Sequence, residues 1–311
     1  MRSSVGNLRE KPISECGVKF LGCLYLKIKN KNFFFILPVV LVLLVIVVFP
    51  LIYSIYVSLL DYDLRRASVR FLGLKNYVKV LADKRFIASL IRTGELVVLS
   101  VATQYFIGLV LALAIYYHIR KLRNIVVVIL SIPPMISPVI VGYMSRLLFH
   151  PGASPINFIL ESLGLPRLLW HASAQTSLLT IFLVDTWQWA PFMLLLLLSG
   201  LVAIPQEYLE SARVDGVNAW QEIRHIVLPL LKTTSIVAIL FRALDILRMF
   251  DIVYILTYGG PGTSTEVVSF YAYRISFGYW KIGYGAALSW VLMLILSVLT
   301  TIYLKFVVKS F

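Results

Sequence analysis

The sequence predicts an all-α polytopic membrane protein with six transmembrane helices and a two-helix loop between the fourth and the fifth. Hydrophobic residues make up 59% of the 311 residues, charged residues only 14%, and the mean hydropathy is +0.87. A soluble core of this length needs far less apolar surface. Apolar runs of about 20 residues recur, the length a helix rising ~1.5 Å per residue needs to cross ~30 Å of hydrocarbon. Between two such runs, residues 204–229 are polar yet keep helical periodicity.

The net charge of +14 does not indicate a nucleic-acid partner. The basic residues are scattered among apolar blocks, whereas nucleic-acid-binding domains gather them on one soluble face. Anionic headgroups account for the same charge, so membrane lipids are expected partners and nucleic acid is not. Cys16 and Cys23 form no metal-ligand pattern, and the four histidines lie on different loops. The sequence therefore predicts no metal site and no disulfide framework.

The sequence predicts a basic cytoplasmic tail at residues 1–32 and a first transmembrane helix at residues 33–60. The tail has seven Lys and Arg residues against two acids, which places it in the cytoplasm by the positive-inside rule. The charge-free run that follows is longer than the core of a signal peptide and has no small-residue cleavage site. It is therefore predicted to be retained as a membrane span.

Residues 61–95 are predicted to be an external loop that contains an interfacial helix. The loop carries eight Lys and Arg residues, which makes it an exception to the positive-inside rule. Its apolar side chains recur near helical spacing at Tyr77, Val80, Leu81, Phe86 and Leu90. That pattern predicts an amphipathic helix lying at the membrane surface.

Residues 96–308 are predicted to be a transmembrane core of five helices. These helices are expected at residues 96–117, 125–145, 178–201, 233–258 and 282–304. Six spans in total put both termini on the cytoplasmic side of the cell membrane, where the short loops are again basic. The third span contains Pro133, Pro134 and Pro138, which cannot donate to a helix. It is therefore expected either to kink or to line a cavity.

Four ionisable residues lie in the predicted fifth span at steps of three. Such charges are costly in an apolar helix, so we expect Arg242 to pair with Asp245, and Arg248 with Asp251. Two interpretations stay open. The pairs form a structural ladder that locks helices together, or they line a polar solute pathway in which Arg donors and Asp acceptors bind vicinal hydroxyls. Aromatic residues in the fourth span either stack on sugar rings or anchor the helix at the interface.

The polar interval at residues 204–229 is predicted to be two short helices joined by a bend. Pro205 stands at the first helical position, and Gly216 suits the left-handed residue that ends a helix. Asn218 and Gln221 have the spacing of a capping box, which predicts the start of the second helix. A bent, capped, polar element between two membrane spans is typical of a docking surface, although an ordinary loop has the same composition.

The 204–229 loop resembles the signature segment of the permease subunits of binding-protein-dependent ABC importers. The family pattern of E-A-A, D-G and I-x-L-P is matched by Glu210-Ser211-Ala212, Asp215-Gly216 and residues 226–229, with Ser211 replacing the usual alanine. Further matches lie at residues 71–77, 187–192, 200–205, 256–262, 265–266 and 273–274, so the resemblance covers nearly everything after residue 33. These flanking segments are similar to the carbohydrate-uptake branch, and specifically to its maltose-permease-like first subunit.

The resemblance implies the type I importer fold and a docking role for the 204–229 loop. In the family this loop inserts into a cleft of a cytoplasmic ATPase. ATP and magnesium are then used by that partner, and this chain, which has no phosphate-loop motif, binds no cofactor. The implied partners are a second homologous permease subunit, two ATPase subunits and an external solute-binding protein. The implied coupling residues are Glu210, Ala212, Asp215, Gly216, Leu228 and Pro229, the last two as a hinge into the fifth span.

The resemblance also implies a substrate pathway through the fourth and fifth spans. Its residues, counted from the shared motifs, are Gln188, Trp189, Phe192, Arg242, Asp245, Ile246 and Met249. Arg242 and Asp245 depart from the small and amide-bearing residues of the maltose permease, so the sugar itself is not specified. The implied function is that of a permease subunit of an ATP-driven sugar importer, which is not itself an enzyme. An ion-gradient-driven secondary transporter is the alternative, but it leaves the 204–229 loop unexplained.

Overall fold

The computed structural model describes residues 33–66, 68–119 and 122–308, and they are mainly helical. The elements before residue 119 are α1 Phe33–Leu43, the π-helical turn Leu44–Val48, α2 Phe49–Ser58, β1 Leu60–Asp61, β2 Arg70–Phe71, α3 Lys75–Leu81 and α4 Lys84–His118. The elements after residue 122 are α5 Arg123–Leu130, α6 Ile132–Met135, α7 Pro138–Leu148, α8 Pro155–Ser162, α9 Ser177–Val202, α10 Gln206–Val214, α11 Ala219–Glu222, the π-helical turn Ile223–Val227, α12 Leu228–Leu247, α13 Asp251–Leu256, α14 Val268–Tyr273, the π-helical turn Arg274–Gly278 and α15 Ile282–Val308. Strands β1 and β2 pair antiparallel.

The chain forms two compact units that divide between Tyr56 and Val57. The first contains the continuous helix made by α1, its π-helical turn and most of α2. Pro50 follows that turn closely, and its ring has no N–H and crowds the carbonyl group four residues earlier. The wider π-helical turn relieves this crowding without breaking the helix. The second unit contains every later element.

Among the described residues, five continuous helices are long and apolar enough to cross a membrane, one fewer than the sequence predicts. They run over Ile36–Ser58, Lys84–His118, Ser177–Val202, Ala219–Leu247 and Ile282–Lys305. The predicted third span is divided instead into α5, α6 and α7. Pro133 and Pro134 supply no N–H donors inside it. Ile136 and Ser137 adopt extended backbone just before Pro138, as residues that precede a proline prefer.

The predicted fifth span begins and ends earlier than the sequence indicates. The helix starts at its cap, Asn218, continues without interruption from α11 through the π-helical turn into α12, and ends at Leu247. Non-helical backbone at Arg248 and Phe250 separates it from α13. Irregular backbone at membrane depth is tolerated where protein encloses it or where it lines a cavity, and this turn lines a recess.

Helix α4 begins at Lys84, twelve residues before the predicted second span. Asp83 caps it, because its carboxylate accepts hydrogen bonds from the backbone N–H groups of Arg85 at 2.8 Å and Phe86 at 3.3 Å. The apolar pattern assigned to one interfacial helix is therefore divided between α3 and the first turns of α4.

The second unit is built around the packing of α9 against α4. The two backbones approach closely at Gly108, where an added Cβ would lie 2.7 Å from the Cβ of Met193, so a larger residue does not fit. Buried side chains of α4, α9 and α12 form an apolar core that extends to the start of α10, where Leu209 is almost completely enclosed. This core connects the middle of the bundle with the 204–229 loop.

Candidate functional site

A buried polar network joins three transmembrane helices at the side chain of Arg242. This residue of α12 is only 1% exposed, and its Nε donates to the Gln104 carboxamide oxygen of α4 at 2.7 Å. Its two terminal nitrogens donate to Asp185 of α9 and to Asp245 of α12. Gln104 in turn donates to Asp185 at 2.8 Å, and the guanidinium lies 4.8 Å from the centre of the Trp189 ring. Every nitrogen of this buried cation therefore has a partner, as the cost of burying charge requires.

One of the two ion pairs predicted for the fifth span is confirmed, and the other is wrong. Arg242 pairs with Asp245 as the helical spacing indicates. Arg248 and Asp251 do not pair, because α12 ends at Leu247 and a non-helical turn separates them, so their spacing of three no longer puts them on one face. Arg248 donates instead to the carbonyl oxygen of Leu244 at 3.3 Å.

Sequence reasoning missed the two partners of Arg242 that lie on other helices. Asp185 was visible as the single acid of the fourth span, and a lone carboxylate in an apolar helix is a signal for a cationic partner elsewhere. Gln104 gave no such signal, because a neutral amide in an apolar run also fits an ordinary helix–helix hydrogen bond.

A small recess of about 90 Å³ adjoins this network, and its charged lining consists of three carboxylates and one guanidinium. It is lined by Pro138, Asp185, Trp189, Asp245, Arg248, Met249, Phe250, Asp251 and Ile252. The side chain of Asp245 is 47% exposed, although its partner Arg242 is enclosed. Carboxylate acceptors, a guanidinium donor and the ring of Trp189 are the groups that bind hydroxyls and the apolar faces of sugars.

The predicted pathway residues divide into those that reach the recess and those that do not. Trp189, Asp245 and Met249 line it. Phe192 contacts the ring of Trp189 edge to face, with ring centres 5.9 Å apart. Ile246 is buried in the apolar core.

Gln188 lies at the point where the predicted third span is broken. Its carboxamide nitrogen donates to the carbonyl oxygen of Ile136 at 2.9 Å, which satisfies a backbone group that the helix break leaves free. Its carboxamide oxygen is buried without a hydrogen-bond partner among the described residues. The side chain thus supports the broken helix and keeps one acceptor available.

The 204–229 loop has the bent two-helix geometry that the sequence predicts. Helix α10 ends before Gly216, whose φ of +74° is the left-handed conformation that glycine adopts most readily. The N–H of Val217 bonds the carbonyl oxygen of Ala212 at 3.1 Å, which is the six-residue closure of a Schellman cap. Asn218 and Gln221 then form a complete capping box for α11.

The loop presents one face to the bundle and one to the outside. Glu210, Asp215 and Gly216 of the predicted coupling set are exposed on the outer face. Two large apolar side chains accompany them there, Val214 at 88% and Trp220 at 66% exposure.

The remaining predicted coupling residues lie on or behind that face. Ala212 is buried inside the chain, so its contacts are internal. Leu228 closes the π-helical turn by bonding the carbonyl oxygen of Ile223, and Pro229 follows it. The helix is continuous through these residues, because the wide turn accommodates the proline ring. Their role as a hinge stays a prediction.

Two tyrosines at the end of α4 attach the loop to the bundle. The carboxamide of Gln206 donates to the Tyr116 hydroxyl at 3.0 Å, and the Tyr117 hydroxyl donates to the buried carboxylate of Glu222 at 2.8 Å. Gln104 precedes Tyr116 by twelve residues, or about 18 Å of helix. Helix α4 therefore contacts both the polar network and the 204–229 loop.

A second ion network closes the opposite end of the bundle. The carboxylate of Glu266 has no exposed surface and accepts hydrogen bonds from Arg85 at 2.6 and 3.0 Å and from Arg274 at 2.8 Å. Glu266 and Arg274 belong to segments that carry the flanking sequence motifs, 265–266 and 273–274.

Asp83 supports the same end of the bundle. It accepts from the Tyr271 and Tyr284 hydroxyls at 2.6 and 2.7 Å. Burial works against its ionised form, but these hydroxyls and the capped N–H groups of α4 outweigh that cost and hold the pKa of Asp83 below its ordinary value. The described residues include no cluster of His, Cys, Asp and Glu that could hold a metal ion.

Comparisons with known proteins identify a protein family and a fold. A model of the family "binding-protein-dependent transport system inner membrane component" matches residues 104–310. The trehalose/maltose transport system permease protein MalF of Thermococcus litoralis is 34% identical over 277 residues, which cover 88% of this chain and 92% of that protein.

Two solved structures have the same fold. One is a bacterial ABC transporter that imports the acidic polysaccharide alginate, with a TM-score of 0.78, 24% identity, and coverage of 91% of this chain and 98% of the matched chain. The other is a bacterial alginate ABC transporter in complex with an alginate pentasaccharide-bound periplasmic protein, with a TM-score of 0.75, 23% identity, and coverage of 93% and 94%.

Proposed function

The chain belongs to the family of inner membrane components of binding-protein-dependent transport systems, and on that basis we propose that it is the permease subunit of an ATP-driven sugar importer. In this proposal it forms half of the translocation pathway. The observation that carries it is the continuous helix from Ala219 to Leu247. One end of this helix belongs to the 204–229 loop, and the other bears Arg242 and Asp245 beside the recess.

The 204–229 loop is the proposed docking surface for a cytoplasmic ATPase. Its outer face combines the exposed Glu210, Asp215 and Gly216 with the exposed apolar side chains of Val214 and Trp220. Aromatic anchors beside polar groups are characteristic of protein interfaces. In this proposal the partner ATPase binds ATP and magnesium and hydrolyses the nucleotide, and this chain binds no cofactor.

The proposed solute is a neutral, polyhydroxylated molecule such as a disaccharide or oligosaccharide. The recess is lined by the carboxylates of Asp185, Asp245 and Asp251 and by one exposed cation, Arg248. The enclosed Arg242 offsets one carboxylate, so the lining keeps a negative excess that disfavours acidic sugars. This agrees with the name of the trehalose/maltose relative, whereas the alginate importers match in fold alone.

The proposed assembly contains a second homologous permease subunit, two ATPase subunits and an external solute-binding protein. The alginate transporter in complex with its periplasmic protein supports the last of these partners through a shared fold. In this topology both termini and the 204–229 loop lie in the cytoplasm, and the end closed by Glu266 lies outside. The residues of the basic tail, 1–32, lie outside the described part of the chain.

Uptake into proteoliposomes tests the energy source. The complex is reconstituted with its ATPase and solute-binding protein, and radiolabelled maltose or trehalose is offered. We expect uptake with ATP on the ATPase side and none with a proton or sodium gradient alone. Uptake sustained by an ion gradient without ATP would contradict the proposal and support the secondary-transporter alternative, which the intramembrane Asp–Arg pairs otherwise suit.

Replacement of Gly216 by valine tests the docking surface. A β-branched residue is strained at a φ of +74°, so the bend between α10 and α11 should change. We expect co-purification of the ATPase and sugar uptake to fall at least about tenfold. Gly164→Val is the matched control, because Gly164 has a φ of +75° and equally open surroundings but lies outside the loop. Equal effects of the two substitutions would contradict the docking role.

A further inference from the structure

An unpartnered apolar ridge runs along β2 and α3 at the end of the bundle opposite the 204–229 loop. The ridge consists of Phe71, Leu74, Val78 and Leu81, whose side chains are each between 64% and 71% exposed. Positions 74, 78 and 81 have the i, i+4, i+7 spacing that puts side chains on one helix face. Contiguous large apolar side chains of this kind mark a surface that is covered in the working protein.

The orientation of α3 is fixed, so the ridge cannot rotate inward. The carboxamide of Asn76 donates to the carbonyl oxygens of Ser58 and Leu60, both at 2.9 Å. The hydroxyls of Tyr77 and Ser58 are 2.6 Å apart. Val80, on the same face as Asn76, is completely buried against α14 and α15.

Exposed cations flank the ridge. They are Arg70, Lys75, Lys79 and Lys84, and none of them forms an ion pair within the described part of the chain. The other four basic residues of this loop bind groups of the chain itself. Arg65 pairs with Asp63, Arg66 with Asp61 and Arg85 with Glu266, and Arg92 donates to the backbone carbonyl oxygen of Glu266 at 3.2 Å. The surplus positive charge of the predicted external loop is therefore concentrated beside the apolar ridge.

We propose that the ridge lies in the interfacial layer of the membrane and that its flanking cations select anionic phospholipid headgroups. Apolar side chains inserted at the acyl boundary with Lys and Arg at headgroup level are the pattern of a monotopic anchor. Long basic side chains reach the phosphates while their stems stay against apolar surface.

The ridge also continues the lipid-facing surface of the bundle. Helix α4 starts directly after α3, and its first turns carry the exposed side chains of Ile87 and Ile91, which lead along the helix to the exposed Val98. A lipid surface can cover this continuous apolar strip from α3 into the membrane. This inference goes beyond transport, because it assigns the basic external loop a role in lipid recognition.

Quenching by brominated lipids tests the proposal on the assembled complex. A fluorophore is attached at Val78→Cys in a chain with Cys16→Ser and Cys23→Ser, and the complex is placed in nanodiscs. Brominated phosphatidylglycerol and brominated phosphatidylcholine are compared at equal mole fraction. We expect phosphatidylglycerol to quench at least about twofold more strongly. Lys75→Gln with Lys79→Gln should bring the ratio to about one, since the selecting charges are gone.

Two controls keep the result specific. Arg167→Gln removes an exposed charge from the loop that precedes α9, and should leave the ratio unchanged. A probe at Val214→Cys, a more exposed apolar position in the 204–229 loop, should not be quenched by either lipid. Equal quenching by both lipids at position 78 would overturn headgroup selection. Absence of quenching there would assign the ridge to a protein partner instead and would overturn the proposal.

Discussion

The two buried ion networks of the protein differ in their charge balance and in what they face. Arg242 is held by two carboxylates, and one of them, Asp245, opens onto the recess between broken helices. Glu266 is held by Arg85 and Arg274 and has no exposed surface. Both networks link helices, and each leaves a charged member partly exposed: the side chain of Asp245 is 47% exposed and that of Arg85 is 34% exposed. They differ because Asp245 lines the recess. The proposed solute site is therefore assigned to the network whose carboxylate lines the recess between broken helices, and not to buried charge as such.

The largest effect is expected from Glu266→Gln. The substitution removes the enclosed charge that pairs with Arg85 and Arg274. Breaking a fully buried pair costs about 3–5 kcal/mol, and the cost here is expected to be lower because both cations stay partly exposed to solvent. We expect the complex to melt at a clearly lower temperature in detergent, measured by fluorescence-detected size exclusion after heating. Glu95→Gln on the exposed face of α4 is the matched control and should leave the melting temperature unchanged. If the Glu266 variant assembles and melts like the wild type, the network is not structural.

A smaller effect, on selectivity alone, is expected from Asp251→Asn. Asp251 lines the recess and is only partly buried, so its loss should change stability by less than about 0.5 kcal/mol. The recess loses one negative charge, so uptake of a glucuronate-containing disaccharide relative to maltose should rise about twofold to fivefold. Competition between the two sugars in proteoliposomes measures this ratio. An unchanged ratio, equal to that of Glu95→Gln, would show that the charge of the recess does not select the solute.

Local patterns predicted the parts of this protein that depend on neighbouring residues. The bend at Gly216 and the capping box of Asn218 and Gln221 follow from backbone conformation and short-range hydrogen bonds, which the sequence displays directly. The pair of Arg242 and Asp245 follows from helical spacing in the same way.

Features that depend on distant residues were missed. The partners Gln104 and Asp185 reach Arg242 from other helices, and no spacing rule connects them. Helix α12 ends at Leu247, and the turn after it separates Arg248 from Asp251. No proline or glycine marks this helix end in the sequence. The average hydropathy of this segment still indicates one span, although four ionisable residues interrupt it. Irregular backbone at membrane depth depends on the groups that surround it, and local sequence does not show them.

The substitution Asp245→Asn tests the central claim, that the exposed member of the Arg242 network binds the solute while the enclosed members hold helices together. Arg242 keeps Asp185 and Gln104 in this variant, so assembly and melting temperature should stay close to wild type. ATP-driven uptake of maltose or trehalose should fall at least about tenfold. Asp185→Asn, at the enclosed position, should mainly lower the melting temperature. If Asp245→Asn transports normally, or loses assembly as Asp185→Asn does, the recess is not the solute site and the network is structural throughout.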